Sequence, residues 1–333
     1  MPKNTYRIAV VGAATLLGKE IGDEIAESPL STATTLLLDT EDATGTLESM
    51  GDEAAFLQTM EPAALENADV VLFADSKMMH EHAATARAMG AAVVDATGSP
   101  SDAETPARSP QVPGQPTLDL NAQQLRVAHP VATMLALALS HAATAGRIKA
   151  AFATVLQPAS ENGRAALDEL QQQSINLLNF QAVPSEEFDT QVAFNLLPAL
   201  GEAAKQPLVV AEEQALRDLK FLVPSGPTPL LQWLHAPVFH GFSVSLFLDF
   251  EEEIARETLE AALSSEHLDL VSEESDPPSN LSSAGQGNVL VQLKGEGSRY
   301  ALWMAADNLK LTARTAVACA LELTRLRPLG KVQ

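Results

Sequence analysis

The chain predicts an α/β protein, with an N-terminal doubly wound parallel sheet followed by a second region of α+β type. Three observations carry this. Residues 6–26, YRIAVVGAATLLGKEIGDEIA, read as strand, tight turn and helix. Apolar strand-like runs and helix-period segments then alternate as far as Asp95, the pattern of parallel strands joined by crossover helices. The second half contains direct strand-to-strand connections, 288–294 to 299–304, which suit a mixed or antiparallel sheet.

In the opening stretch, Ile8, Ala9, Val10 and Val11 form an apolar run that stops at Gly12. Apolar residues then recur at helical spacing through Leu16, Leu17, Ile21 and Ile25. Gly12 and Gly18 bracket a turn whose backbone N–H groups, at the start of a helix, suit a pyrophosphate in a Rossmann-type dinucleotide-binding domain. Candidate cofactor residues are therefore Gly12, Ala13, Thr15, Leu16, Leu17 and Gly18. The central glycine of the usual fingerprint is absent, because Ala14 and Thr15 stand there, and the Thr15 Cβ narrows the approach of a phosphate. A turn that only packs helix on strand, with an empty pocket, stays open as an alternative.

A second strand, Thr35 to Leu38, ends at Asp39, about where an acidic residue holds a ribose 2′-hydroxyl in an NAD site. Asp42 adds a second negative charge, and together they would repel the extra phosphate of NADP. NAD is thus expected ahead of NADP; the alternative is an acidic loop without a ligand. ADVVLFA at 68–74 predicts a buried strand, Ser76–Met89 a helix and Ala91–Asp95 another strand. His80 and His82 are two positions apart on that helix and point to different sides, so exposed histidines are expected there rather than a metal site. Gly98–Pro116, rich in Pro, Ser and Gly, reads as an irregular loop. AHPVATMLALAL at 128–139, a loop feeding a hydrophobic helix, marks the domain junction. Beyond it come a strand at Lys149–Leu156, a helix at Arg164–Leu178, a strand at Val244–Phe250 and a helix at Glu252–Leu263. After an irregular stretch at Ser272–Ser283 follow strands at Asn288–Lys294 and Arg299–Met304, and an amphipathic helix at Leu309–Leu326.

Composition narrows the function classes. With 333 residues, 46% hydrophobic and 19% charged, the chain is long enough for two domains with real cores. A net charge of −22 argues against nucleic acid and against anionic membrane surfaces as partners. No signal segment is visible and no apolar run approaches a membrane-spanning length, so a cytoplasmic protein is expected. The one cysteine, Cys319, lies among alanines and leucines and reads as a packing residue rather than a nucleophile.

Five blocks in order carry a resemblance. VVGAATLLGKEI at 10–21, QPASENG at 157–163, FNLLPALG at 194–201, APVFHGFS at 236–243 and GNVLVQLKGEGSRYALWMAADNLK at 287–310 resemble those of the aspartate-semialdehyde dehydrogenase family. The resemblance implies a nucleotide domain of residues 1–130 completed by 308–333, with a dimerisation and catalytic domain at 131–307. It also implies a homodimer, or a dimer with an active relative. The family reaction is the NADP-dependent, reversible reductive dephosphorylation of an aspartyl phosphate to the semialdehyde. It runs through a cysteine thioester with a histidine as acid/base.

Carried over residue by residue, the resemblance implies that the chemistry is missing. The family cysteine falls on Val131, whose side chain cannot form a thioester, and the family histidine falls on Phe242. The arginine that grips the substrate carboxylate falls on His235, the phosphate-gripping arginine on Ser101 and the active-site lysine on Ala215. Asp42 replaces the arginine of the second strand's loop. Gln157, the substrate-orienting glutamine, and Glu212 match. His240, two residues from Phe242, is expected to be a loop or packing histidine; the alternative is a substitute base, after a small register shift, if both lie on one strand face. His129, beside Val131, is either a ligand-binding group at the cleft or a capping residue. The expected function is a dimeric pseudoenzyme that retains NAD; the alternative is an NAD-dependent oxidoreductase on another small substrate, without a thioester.

Overall fold

The computed structural model describes residues 5–51, 53–98, 105–119 and 121–329. The chain divides into two compact units, Met1–Ala128 with Thr312–Gln333, and His129–Leu311.

The first unit is built on a seven-stranded sheet in the order β5-β2-β1-β6-β7-β9-β8. Its strands are β1 (Arg7–Val11), β2 (Thr34–Asp39), β5 (Gln58–Thr59), β6 (Val70–Phe73), β7 (Ala92–Asp95), β8 (Ala107–Arg108) and β9 (Gln124–Val127). Every neighbouring pair is parallel. Helices α1 (Leu16–Glu27) and α2 (Ser76–Ala88) are its crossovers. Alternate residues of β1 serve opposite faces, as a strand covered on both sides requires. Ile8 and Val10 pack with Ile21 and Ile25 of α1 and with Ala316, Ala320 and Leu323 of the C-terminal helix α7 (Asn308–Leu326). Ala9 and Val11 pack with Phe73 and with Met79, Ala83 and Ala86 of α2. The antiparallel hairpin of β3 (Leu47–Met50) and β4 (Glu53–Phe56) packs on α1. Cys319 is fully buried in this core, and burial pushes its thiol up.

The second unit carries a mixed six-stranded sheet in the order β11-β10-β12-β15-β14-β13. Its strands are β10 (Ile148–Gln157), β11 (Leu230–His235), β12 (Phe242–Phe250), β13 (Leu268–Leu270), β14 (Val289–Glu296) and β15 (Arg299–Ala306). Helix α3 (Pro130–Ala145), apolar on almost every side, packs against β10, β12 and the helices α5 (Leu208–Leu222) and α6 (Arg256–Leu263). Helix α4 (Arg164–Leu178) follows β10.

Several boundaries depart from the sequence expectations. The 98–116 stretch contains β8, a two-residue strand that completes the parallel sheet. The helix expected from Glu252 begins at Arg256. Helix α5 and strand β11 stand where no element was expected. His80 is exposed and His82 half-exposed on α2, and Ser101 lies outside the described residues.

Candidate functional site

Both candidate glycines are required by packing. Gly12 has φ +83°, and a Cβ there would sit 2.7 Å from Asp75 Cβ and 2.8 Å from Asp75 N. At Gly18 a Cβ would overlap the Gly12 carbonyl oxygen. Thr15 caps α1: its Oγ1 accepts from Gly18 N at 3.0 Å and donates to Gly12 O at 2.7 Å. The missing central glycine is therefore matched by a side chain folded into the helix N-terminus.

The amides of the turn can be accounted for individually. Those of Gly12 and Ala13 donate to Leu38 O, and that of Thr15 to Gly12 O. The Ala14 amide donates to Asp39 Oδ2 at 2.7 Å, while Asp39 Oδ1 accepts from Thr40 N at 2.7 Å. Asp39 is thus a buried brace of the turn, 6% exposed, a role in neither sequence reading. The Leu16 and Leu17 amides, the first two of α1, have no acceptor among the described residues, as the first donors of a helix commonly do. Asp42 is exposed in the following turn.

In the second unit, Val131 is fully buried in the first turn of α3. His129 caps that helix, its Nδ1 accepting from Val131 N at 3.2 Å. Nδ1 is therefore the unprotonated nitrogen, by assignment from its partner. The His129 backbone N–H donates to Asp218 Oδ2 on α5 at 2.9 Å. His129 Nε2 lies 3.1 Å from Glu161 Oε1, within ion-pair distance but off the line of a hydrogen bond. Glu161 Oε2 accepts from Asn308 Nδ2 at 3.2 Å, and Asn308 Oδ1 accepts from Ser160 Oγ and Gly241 N.

Beside this polar chain three rings pack together. His129, Trp233 and Phe242 form a triangle of edge-to-face contacts with centroids 5.6, 5.7 and 6.0 Å apart. None is more than 5% exposed. Gln157 is held from both ends: Trp233 Nε1 donates to its Oε1 at 2.6 Å, and its Nε2 donates to Asn162 Oδ1 at 2.9 Å. His235 is fully buried, its ring 4.9 Å from that of Phe188 and both nitrogens without a hydrogen-bond partner among the described residues. Burial lowers its pKa to about 4. Ala215 is buried on α5. Glu212, half-exposed on the same helix, has a carboxyl raised first by burial and then by Glu213; no hydrogen bond among the described residues joins it to Gln157.

His240 does not serve as a substitute base by strand alternation. It precedes β12 in a bend, and Gly241 at φ +85° separates it from Phe242, the first strand residue, so the two share no strand face. Sequence reasoning missed Trp233, Asp218 and the Glu161–Asn308 pair. Glu161 and Asn162 stand inside QPASENG and Asn308 inside the 287–310 block, so those motifs contained their signal. Among the described residues, no group of three or more His, Cys, Asp or Glu is placed to hold a metal ion, and no helix is long and apolar enough to cross a membrane.

A doubly wound parallel sheet followed by a mixed six-stranded sheet defines the class of two-part dehydrogenase folds. The semialdehyde dehydrogenase dimerisation domain matches residues 139–311, and the chain belongs to the aspartate-semialdehyde dehydrogenase family. It is 25% identical over 330 residues to the aspartate-semialdehyde dehydrogenase of Rickettsia conorii, covering 96% of this chain and 97% of that one. It is 27% identical over 312 residues to a USG-1 protein homolog of Azotobacter vinelandii, covering 91% and 93%. The fold matches that of a probable aspartate-semialdehyde dehydrogenase from Pseudomonas aeruginosa, with TM-score 0.83 and 23% identity over 97% of this chain and 99% of that one. Aspartate semialdehyde dehydrogenase II from Vibrio cholerae, complexed with ASA, gives TM-score 0.83 at 21% identity with the same coverage.

Proposed function

We propose that this chain is a dimeric family member that has lost the semialdehyde dehydrogenase reaction and keeps a nucleotide site of NAD type. In this reading residues 1–130 with 308–333 form the nucleotide domain and 131–307 the dimerisation domain. The observation that carries the loss is the burial and ring packing at Val131 and Phe242. Val131 offers no nucleophile, Phe242 offers no base, and both are buried against Trp233 and His129 or within α3. Gln157 is tied at both ends, one Nε2 hydrogen to Asn162 and Oε1 to Trp233, so its amide does not turn without breaking a buried contact. His235, unprotonated well below neutral pH, cannot replace the arginine that would bind a carboxylate.

The dimer reading rests on the outer face of the second sheet. Leu230, Phe152 and Phe247 sit side by side across β11, β10 and β12 and are 70%, 49% and 49% exposed. Such an apolar row suits the two-fold contact of two copies.

NAD is favoured over NADP because Asp39, though braced, keeps lone pairs for a ribose hydroxyl, and because Asp39, Glu41 and Asp42 would face a 2′-phosphate with like charge. Calorimetric titration of the purified chain tests this. NAD is expected to bind with a Kd on the order of micromolar, and NADP at least about tenfold more weakly. Equal or tighter binding of NADP, or no binding of NAD, would overturn the cofactor assignment.

A further inference from the structure

Strand β11 is an edge of the mixed sheet, and at its last residue, His235, the chain between α4 and α5 is fastened to it. The His235 N–H donates to Leu197 O at 2.8 Å and the Leu197 N–H to His235 O at 3.1 Å, a two-way antiparallel bridge. The Phe188 side chain, fully buried, lies with its ring 4.9 Å from that of His235. The two limbs of this segment close on each other: Gly201 N donates to Phe188 O, Lys205 N to Glu187 O and Ala203 N to Asp189 Oδ2. Residues 185–205 therefore form one closed loop. Its other attachment is to α4, where Glu169 accepts from the Glu187 and Phe188 amides and Gln173 from those of Val192 and Ala193.

The fastening at β11 suits only a neutral imidazole. Both His235 nitrogens are buried without a hydrogen-bond partner among the described residues, and a buried charge without an acceptor is strongly disfavoured. The groups around it are already engaged. On β10, Gln157, in register with His235, has its Oε1 taken by Trp233 Nε1. On α5, which packs on β11, Asp218 accepts from the His129 N–H and Glu212 is half-exposed. On the loop itself, Glu187 pairs with Lys205 and Asp189 accepts from Ala203 N, while Glu169 of α4 holds two backbone amides. Burial is the one cause that lowers the imidazole pKa, and no carboxylate offsets it.

We propose that His235 is an acid-sensitive latch for the 185–205 loop: protonation of its imidazole breaks the Phe188 packing and the Leu197 bridge, and the loop leaves the β11 edge while α4 holds its other side. Opening returns the imidazole to water, where it takes a proton at the ordinary value of about 6.5. It also bares Phe188 and His235, both fully buried while the loop is closed, and frees the β11 edge at His235 for another strand. Above about pH 6.5 the proton is absent from both states and the latch stays shut; it loosens progressively as pH falls below that value.

The test is amide hydrogen exchange on the full chain, read by mass spectrometry and corrected for the intrinsic effect of pH on exchange. Between pH 7.5 and pH 5 the protection of peptides carrying Leu197 and His235 is expected to fall about thirtyfold, the ratio set by an imidazole of about 6.5 when open and about 4 when closed. Peptides of β12 and β15 are expected to change by less than about threefold, because a local opening leaves the rest of the unit shut. His235→Leu keeps an apolar partner for Phe188 and is expected to hold Leu197 protection within about threefold over the same range. A wild type whose Leu197 protection ignores acid, an equal fall in β12 and β15, or a His235→Leu chain that keeps the fall would each overturn the latch. The contrast between Leu197 and β12 in the wild type decides the matter even if the variant does not fold.

Discussion

Gln173→Leu is expected to lower the unfolding free energy of the second unit by about 3–5 kcal/mol. Gln173 is fully buried and is the hub of the 184–193 segment. Its Nε2 donates to Pro184 O at 2.8 Å and Thr190 O at 3.0 Å, and its Oε1 accepts from Val192 N at 2.8 Å and Ala193 N at 3.1 Å. Leucine fills a similar volume but leaves four backbone groups and Glu169 short of a partner, and each buried group left unpaired costs roughly 1–3 kcal/mol before relaxation. Urea unfolding followed by tryptophan fluorescence reads this unit specifically, since both tryptophans, Trp233 and Trp303, lie in it. Gln172→Leu, on the exposed side of the same helix, is expected to stay within about 0.5 kcal/mol of wild type. A loss below about 1 kcal/mol for Gln173→Leu would show that the segment is not held by this side chain.

The second large effect is a pH dependence centred on His235. Burial lowers its folded-state pKa to about 4, against an unfolded value of about 6.5. Between those values the unfolded chain takes up a proton that the folded chain does not, so stability is full above about pH 6.5 and is lost as pH falls toward 4. The loss attributable to this one group is about 2–3 kcal/mol by pH 4.5. His235→Leu removes the titrating group while keeping an apolar neighbour for Phe188. It is expected to flatten the stability curve between pH 7 and 4.5 by that amount, measured as the wild-type minus variant difference in urea midpoints. Parallel curves would mean that His235 finds a proton acceptor in the folded chain.

Most of the architecture was legible because its elements follow simple periods. The apolar run Ile8–Val11 ending at a glycine gives β1, and the spacing of Ile21 and Ile25 gives α1. Elements were missed where burial runs against polarity or length. Helix α5 buries Gln214 and Asp218 along with Leu219 and Leu222, so its inward stripe does not read as apolar. Strand β11 ends in a buried histidine, and β8 is two residues long. The buried packing cysteine was legible by its neighbours, whereas Val131 and Phe242 were singled out by resemblance alone. The tertiary devices were not legible. Asp39 bracing Ala14 across the turn, and Trp233 closing on Gln157 from 76 residues away, depend on strand register that spacing alone does not set. His129 had a capping alternative from its place before Pro130, and the structure shows that cap.

The central claim is that the family reaction is gone, and a steady-state assay of the wild-type chain tests it most directly. Supplied with aspartate semialdehyde, phosphate and either NADP or NAD, the chain is expected to produce no reduced nicotinamide above the protein-free rate, with an active relative run alongside as control. In another enzyme class the loss of a nucleophile alone removes on the order of a million in turnover, and here Phe242, where the resemblance puts the base, is apolar and buried as well. Phosphate-dependent turnover by the wild-type chain within a thousandfold of the active relative would contradict the account.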